Sequence, residues 1–213
     1  MTTPSDSIRV VLFDLGGVLV DLSGVPSLLA WMDNRMTAEE LFTMWLKSPA
    51  VRSFERGQAS PEAFAEQLII EIGLPVGGQQ FLADFTGWAK GLLPGSLELV
   101  RRISSSYVRA TLSNTNALHW PRLMDEMMFA NAFDHHFASH LTGKIKPDED
   151  AFQHVMDMLD CNASHILFLD DNRLNVEAAQ RLGIKAAQVK GVEGAERALV
   201  EAGVLVLAVS QTG

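Results

Sequence analysis

The chain has 213 residues, 47% of them hydrophobic and 20% charged, which suits one folded domain, or one domain carrying an insertion, and excludes a disordered chain. A formal net charge of −9 opposes phosphate backbones and anionic lipid surfaces, so neither nucleic acid nor a membrane is expected as a partner. Cys161 is the only cysteine, which rules out an internal disulfide and a thiolate metal cage and points to the reducing cytoplasm.

Residues 1–7 carry no positive charge and lead into an apolar run broken at Asp14, so neither a signal peptide nor a spanning helix is expected. The first predicted strand is 8–13. From 19 to 91 the pattern is helical, with a helix over Ala38–Lys47 after Thr37 and another over Pro61–Ile72, where Ser60 and Pro61 take cap and first-turn positions. Residues 14–106 separate the first strand from the second at 107–112, far more than one crossover requires. An inserted helical module is therefore expected, with hinges near 19–21 and 92–95.

Beyond 107–112, strands are predicted at 166–169, 186–189 and 204–209. Helical spacing lies between them, as in Phe152, Val155, Met156 and Leu159, or Val192, Ala195, Leu199 and Ala202. These strands lack a polar face, so the fold class is α/β: a Rossmann-like, doubly wound parallel sheet with an inserted helical cap. The core is expected over 1–18 and 92–213 and the cap over 19–91.

Ligands of open parallel sheets bind outside the carboxyl ends of the strands. There the sequence places Asp14-Leu15-Gly16-Gly17, Ser113-Asn114-Thr115-Asn116 and Asp170-Asp171-Asn172, with Lys146-Pro147-Asp148 ahead of a helix starting near Glu149 or Asp150. Asp14, Asp170 and Asp171 would repel one another unless a cation neutralised them, and Mg2+ takes hard oxygen ligands of this kind. Lys146 adds positive charge, and Ser113 and the Asn114 N–H can bind phosphate oxygens. The expected ligand is an anion.

The segments Phe13-Asp14-Leu15-Gly16-Gly17-Val18, Leu112-Ser113-Asn114, Lys146-Pro147 and Leu169-Asp170-Asp171 resemble, in order, the four motifs of the haloacid dehalogenase-like hydrolase superfamily. Phe54-Glu55-Arg56-Gly57 and Ser60-Pro61-Glu62 are similar to cap sequence of its phosphatase branches with a C1 cap. The resemblance implies a magnesium-dependent phosphatase acting on a small phosphorylated metabolite, a sugar phosphate such as α-D-glucose 1-phosphate. It implies that Asp14 is the nucleophile forming an aspartyl-phosphate. Magnesium would be held by Asp14, the Gly16 carbonyl and Asp171, with Asp170 a ligand or an outer partner. Lys146 would sit between Asp14 and the phosphate, and Ser113 and Asn114 would orient phosphoryl oxygens.

Two positions depart from that pattern. Gly16 stands where most such phosphatases carry a second Asp as general acid and base, and Asn175 stands where many carry another carboxylate. Two other functions fit some of the same residues: a 2-haloacid dehalogenase, which needs no metal, and a non-catalytic phosphometabolite-binding protein. A monomer is expected. His135-His136 read as structural or surface residues. His119 and Trp120 are candidates for the substrate pocket, Arg56 for a surface ion pair with a nearby Glu, and Met124, Met127 and Met128 for core filling.

Overall fold

The computed structural model describes residues 7–22, 24–33 and 35–206. Strand β1 (Val10–Phe13) is buried along its whole length. It is flanked by β4 (Val108–Ser113) and β6 (Ile166–Asp170), so that Val10 faces Val108 on one side and Ile166 on the other. Outside these lie β5 (His135–Ala138) and β7 (Lys185–Gln188), giving a parallel five-stranded sheet of order β5-β4-β1-β6-β7.

Successive residues of a strand point to opposite faces, so each central strand feeds two cores. Val11, Phe13, Leu167 and Leu169 pack with Leu99, Phe129, Phe133 and Leu199, the outer two from helices α6 (Ser96–Arg102) and α10 (Gly191–Glu201). Val10, Leu12, Ile166 and Phe168 pack with Phe152 and Ala178 of α8 (Glu149–Leu159) and α9 (Arg173–Arg181) on the opposite face. Coverage of both faces is what the unbroken apolar strands require.

Between β1 and β4 the chain leaves through β2 (Val20–Leu22) and returns through β3 (Ala89–Leu92). The two form an antiparallel ribbon with Val20 opposite Leu92. Ser96 Oγ donates to the carbonyls of both Leu19 and Leu93 at 2.7 Å, stapling the two legs together. Helices α1 (Gly24–Trp31), α2 (Ala38–Lys47), α3 (Pro49–Glu55), α4 (Pro61–Ile72) and α5 (Gly78–Thr86) lie between these strands.

Local chemistry sets their ends. Thr37 and Glu40 form a reciprocal capping box for α2, Ser48 and Ser60 cap α3 and α4 ahead of Pro49 and Pro61, and Gly73 ends α4 at φ +66°. An aromatic core joins them: Phe54 stacks on Phe64 with centroids 4.3 Å apart, and Trp31, Trp45, Phe81, Phe85 and Trp88 complete the cluster. Among the described residues no helix is long and apolar enough to cross a membrane.

The predicted strands at 8–13, 107–112, 166–169 and 186–189 correspond to β1, β4, β6 and β7. The one at 204–209 does not hold where it is described. Val204 and Leu205 are buried against the core without joining the sheet, and 207–209 lie outside the described residues. The fifth strand is β5 instead, whose two histidines hide it from an apolar pattern. Met128 is exposed rather than core-filling, whereas Met127 is buried.

Candidate active site

The strand order reverses at β1, so the carboxyl ends of β4, β1 and β6 open side by side into one crevice. Asp14 follows β1 directly and is tied down by its N–H donating to Leu169 O at 2.8 Å. Ser113 and Asp170 end β4 and β6.

Lys146 is the hinge of the arrangement. It is 2% exposed, and its Nζ donates to Asp14 Oδ1 and to Asp170 Oδ2, both at 2.7 Å. Asn114 fixes its backbone from two sides, accepting from Lys146 N and donating to Lys146 O at 2.9 Å each. The Asn114 side chain is therefore engaged in positioning the lysine, which leaves its main-chain N–H as the group to consider for phosphate.

Asp170 is fully buried. Beyond Lys146 it accepts from the Asn172 N–H at 2.8 Å and from Asn175 Nδ2 at 3.0 and 3.1 Å. Its two oxygens are thus occupied by protein donors, whereas Asp171 is exposed. That division suits an anchoring role for Asp170 and a ligand role for Asp171. Asn175 gains a reason as well: a carboxylate there would repel Asp170, and the amide donates to it.

Carboxylate oxygens of Asp14, Asp170 and Asp171 lie within 4.8 Å of one another. Burial, reinforced by Asp170 and Asp171, pushes Asp14 up to about 7 against the pull of Lys146. Burial and Asp170 raise Asp171 to about 6. Lys146 rises to about 12, because Asp14 and Asp170 outweigh its desolvation. Three acids against one lysine leave an excess of negative charge, and a hard divalent cation fits that donor set. Gly17 makes room for the Asp171 carboxylate: at φ +68°, a Cβ there would lie 2.1 Å from Asp171 Oδ2.

Gly16, Ser113 and Asn114 form one end of a cavity of about 180 Å³. The remaining wall is mainly apolar, with Leu22, Val25, Leu28, Leu41, Trp45, Phe85 and Trp88 of the inserted segment. Four further polar residues line it: Glu55, Thr115, Asn116 and His119. His119 Nε2 donates to Phe85 O at 2.7 Å, and its Nδ1 accepts from Asn116 Nδ2 at 3.2 Å. Burial lowers its pKa, so the ring is neutral and bridges the sheet side to α5. Burial pushes Glu55 up to about 7, opposed by a hydrogen bond from Trp45 and by the charges of Lys146 and Arg52.

Arg56 pairs with Asp148 across the gap between the insertion and the core, rather than with a nearby Glu. Arg52 reaches both oxygens of the same carboxylate at 2.7 and 3.1 Å. Trp120 packs edge-on against His136 and His140, away from the cavity wall. Sequence reasoning missed Glu55, Arg52 and Asp148 as a group; the signals were the charge run Arg52, Glu55, Arg56 at the end of one short helix and the cap-like segment Phe54-Glu55-Arg56-Gly57.

The family model of haloacid dehalogenase-like hydrolases matches residues 8–183. The sesquiterpene phosphatase astK of Aspergillus oryzae is 30% identical over 177 residues, 82% of this chain and 86% of the relative. D-ribitol-5-phosphate phosphatase of Bacteroides thetaiotaomicron is 24% identical over 79% of the chain and 85% of the relative. A haloacid dehalogenase-like enzyme of the same bacterium, solved in complex with magnesium and inorganic phosphate, superposes with a TM-score of 0.68 at 25% identity, over 86% of this chain and 95% of that one.

Proposed function

The chain belongs to the haloacid dehalogenase-like hydrolases, and from that premise we propose that it is a magnesium-dependent phosphatase with Asp14 as nucleophile. One observation carries this reading: a single buried lysine bridges Asp14 and Asp170 beside a third carboxylate, Asp171, leaving the strand ends one cation short of neutrality. Asp14, the Gly16 carbonyl and Asp171 would hold magnesium. The bound ion supplies charge neutralisation between the nucleophile and the phosphate.

Lys146 holds Asp14 Oδ1 and orients the carboxylate for attack on phosphorus. The Ser113 hydroxyl and the Asn114 N–H donate to the phosphoryl oxygens. A bond forms between Asp14 and phosphorus as the ester P–O bond breaks, and water then cleaves the aspartyl-phosphate. Asp14→Asn is expected to lower phosphate release by at least about three orders of magnitude at unchanged fold. Magnesium-dependent turnover surviving in that variant would reject the reading. Halide release from 2-chloropropionate without metal would replace it with a dehalogenase.

For the rest of the substrate, the cavity wall favours an apolar body. Each sugar hydroxyl buried without a partner costs about 1–3 kcal/mol; Asn116 and His119 are already engaged with one another, and the Thr115 hydroxyl offers a single unpaired group against the several hydroxyls of a sugar. The likeness to a sesquiterpene phosphatase supports the same choice. The second reading, a sugar phosphate such as α-D-glucose 1-phosphate, is supported by the likeness to a polyol-phosphate phosphatase. Comparing kcat/KM for geranyl phosphate, ribitol 5-phosphate and glucose 1-phosphate decides between them, with the prenyl ester expected to lead.

A further inference from the structure

Position 16 offers no proton, and the space beside it is filled by the end of the Leu22 side chain, whose Cδ1 would lie 2.5 Å from a Cβ on Gly16 and would have to move for one. Expulsion of an alkoxide from phosphorus nevertheless calls for a positioned acid. Two titratable side chains on the cavity wall qualify by type. His119 is spent, with Nε2 on a carbonyl and Nδ1 on an amide donor. Glu55, the last residue of α3, lines the same cavity as Gly16, Ser113 and Asn114.

We propose that Glu55 is the general acid and base of the reaction, brought to the cavity by the inserted helices in place of the side chain that Gly16 lacks. The proposal rests on the phosphatase reading. As Asp14 attacks phosphorus and the ester P–O bond breaks, the carboxylic acid of Glu55 gives its proton to the departing oxygen. The resulting carboxylate then takes a proton from the water that cleaves the aspartyl-phosphate. Alcohol and phosphate leave, Asp14 is a free carboxylate again, and Glu55 is reprotonated.

The groups acting on Glu55 are consistent with a residue that changes protonation state each cycle. Burial favours its neutral form, while Lys146 from the core, Arg52 from its own helix and the Trp45 hydrogen bond from α2 stabilise the anion.

The test compares Glu55→Gln with wild type on hexyl phosphate and on p-nitrophenyl phosphate in stopped flow, with magnesium. Nitrophenolate needs no proton to depart, whereas hexoxide does. The variant is expected to lose 10²–10⁴-fold in kcat on hexyl phosphate, as removal of a general acid does. With p-nitrophenyl phosphate it should release one equivalent of nitrophenolate in a burst at the wild-type rate and then turn over slowly, the base for the second step being absent.

Glu55→Asp, which keeps the acid, is expected to restore much of the hexyl phosphate rate. Equal losses on both esters without a burst, or no loss on either, would overturn the proposal. Stabilisation of the folded variant by inorganic phosphate should match wild type, which separates lost chemistry from lost binding. An inactive Asp14→Asn alongside an unimpaired Glu55→Gln rejects Glu55 alone; turnover in Asp14→Asn rejects the phosphatase reading beneath it.

Discussion

The two ends of the cavity are built on opposite principles. At the strand ends the buried charged groups are held by others: Lys146 touches two carboxylates, Asp170 accepts four hydrogen bonds, and Asn114 clamps the lysine backbone. At the helical end the wall is aromatic and aliphatic, shaped by packing rather than by directed bonds. A phosphoryl group needs fixed donors and fixed charge, whereas the remainder of a substrate needs only a complementary shape. The contrast teaches that phosphoryl capture and substrate choice reside in separate parts of the chain, with the proton transfer proposed for Glu55 as the one step that joins them.

Lys146→Met is expected to break that contrast hardest. It leaves buried carboxylates without their partner, costing roughly 3–5 kcal/mol of stability, and it removes at least about 10²–10³-fold in kcat. Urea unfolding and phosphate release check the two effects. Opening the apolar end with Trp45→Ala should sharpen the distinction. We expect about tenfold or more loss of kcat/KM for a prenyl phosphate, with competitive inhibition by inorganic phosphate unchanged.

Glu55→Gln should separate stability from activity. The folded state holds this carboxyl near 7, above the ordinary value of 4.5. The stability it contributes is complete below the unfolded pKa and is lost as pH rises through the folded one. The Gln variant should therefore melt higher than wild type at pH 8 and show less decline between pH 4.5 and 7, as followed by thermal unfolding. The smallest effect is expected from Asp134→Asn. It deletes a surface pair with Arg109 at 3.0 Å and should cost under about 1 kcal/mol without touching kinetics.

Much of the strand-end chemistry was legible in the sequence because apolar runs and the polar residues that terminate them are local signals. Asp14, Ser113, Lys146, Asp170 and Asp171 do converge. The distinct situations of Asp170 and Asp171 were not legible, since they depend on how the turn after β6 aims the Asn172 N–H and Asn175 at Asp170 and on Lys146 arriving from another loop. Strand β5 escaped because its sequence, His-His-Phe-Ala, half-buries polar rings: His136 Nδ1 lies 3.1 Å from Thr111 Oγ1 on the neighbouring strand. Glu55 could be placed in the cavity only once five helices had packed on one aromatic cluster, a long-range outcome that no window of sequence contains.

The ribbon of β2 and β3 carries a consequence of its own. The chain departs at Val20 and comes back at Leu92 on the same rung, with Ser96 pinning both legs to one point. A segment attached this way can be exchanged for another of different length or shape while Asp14 and Lys146 stay where they are. An exchanged segment would change the substrate wall and would have to bring its own acid in place of Glu55.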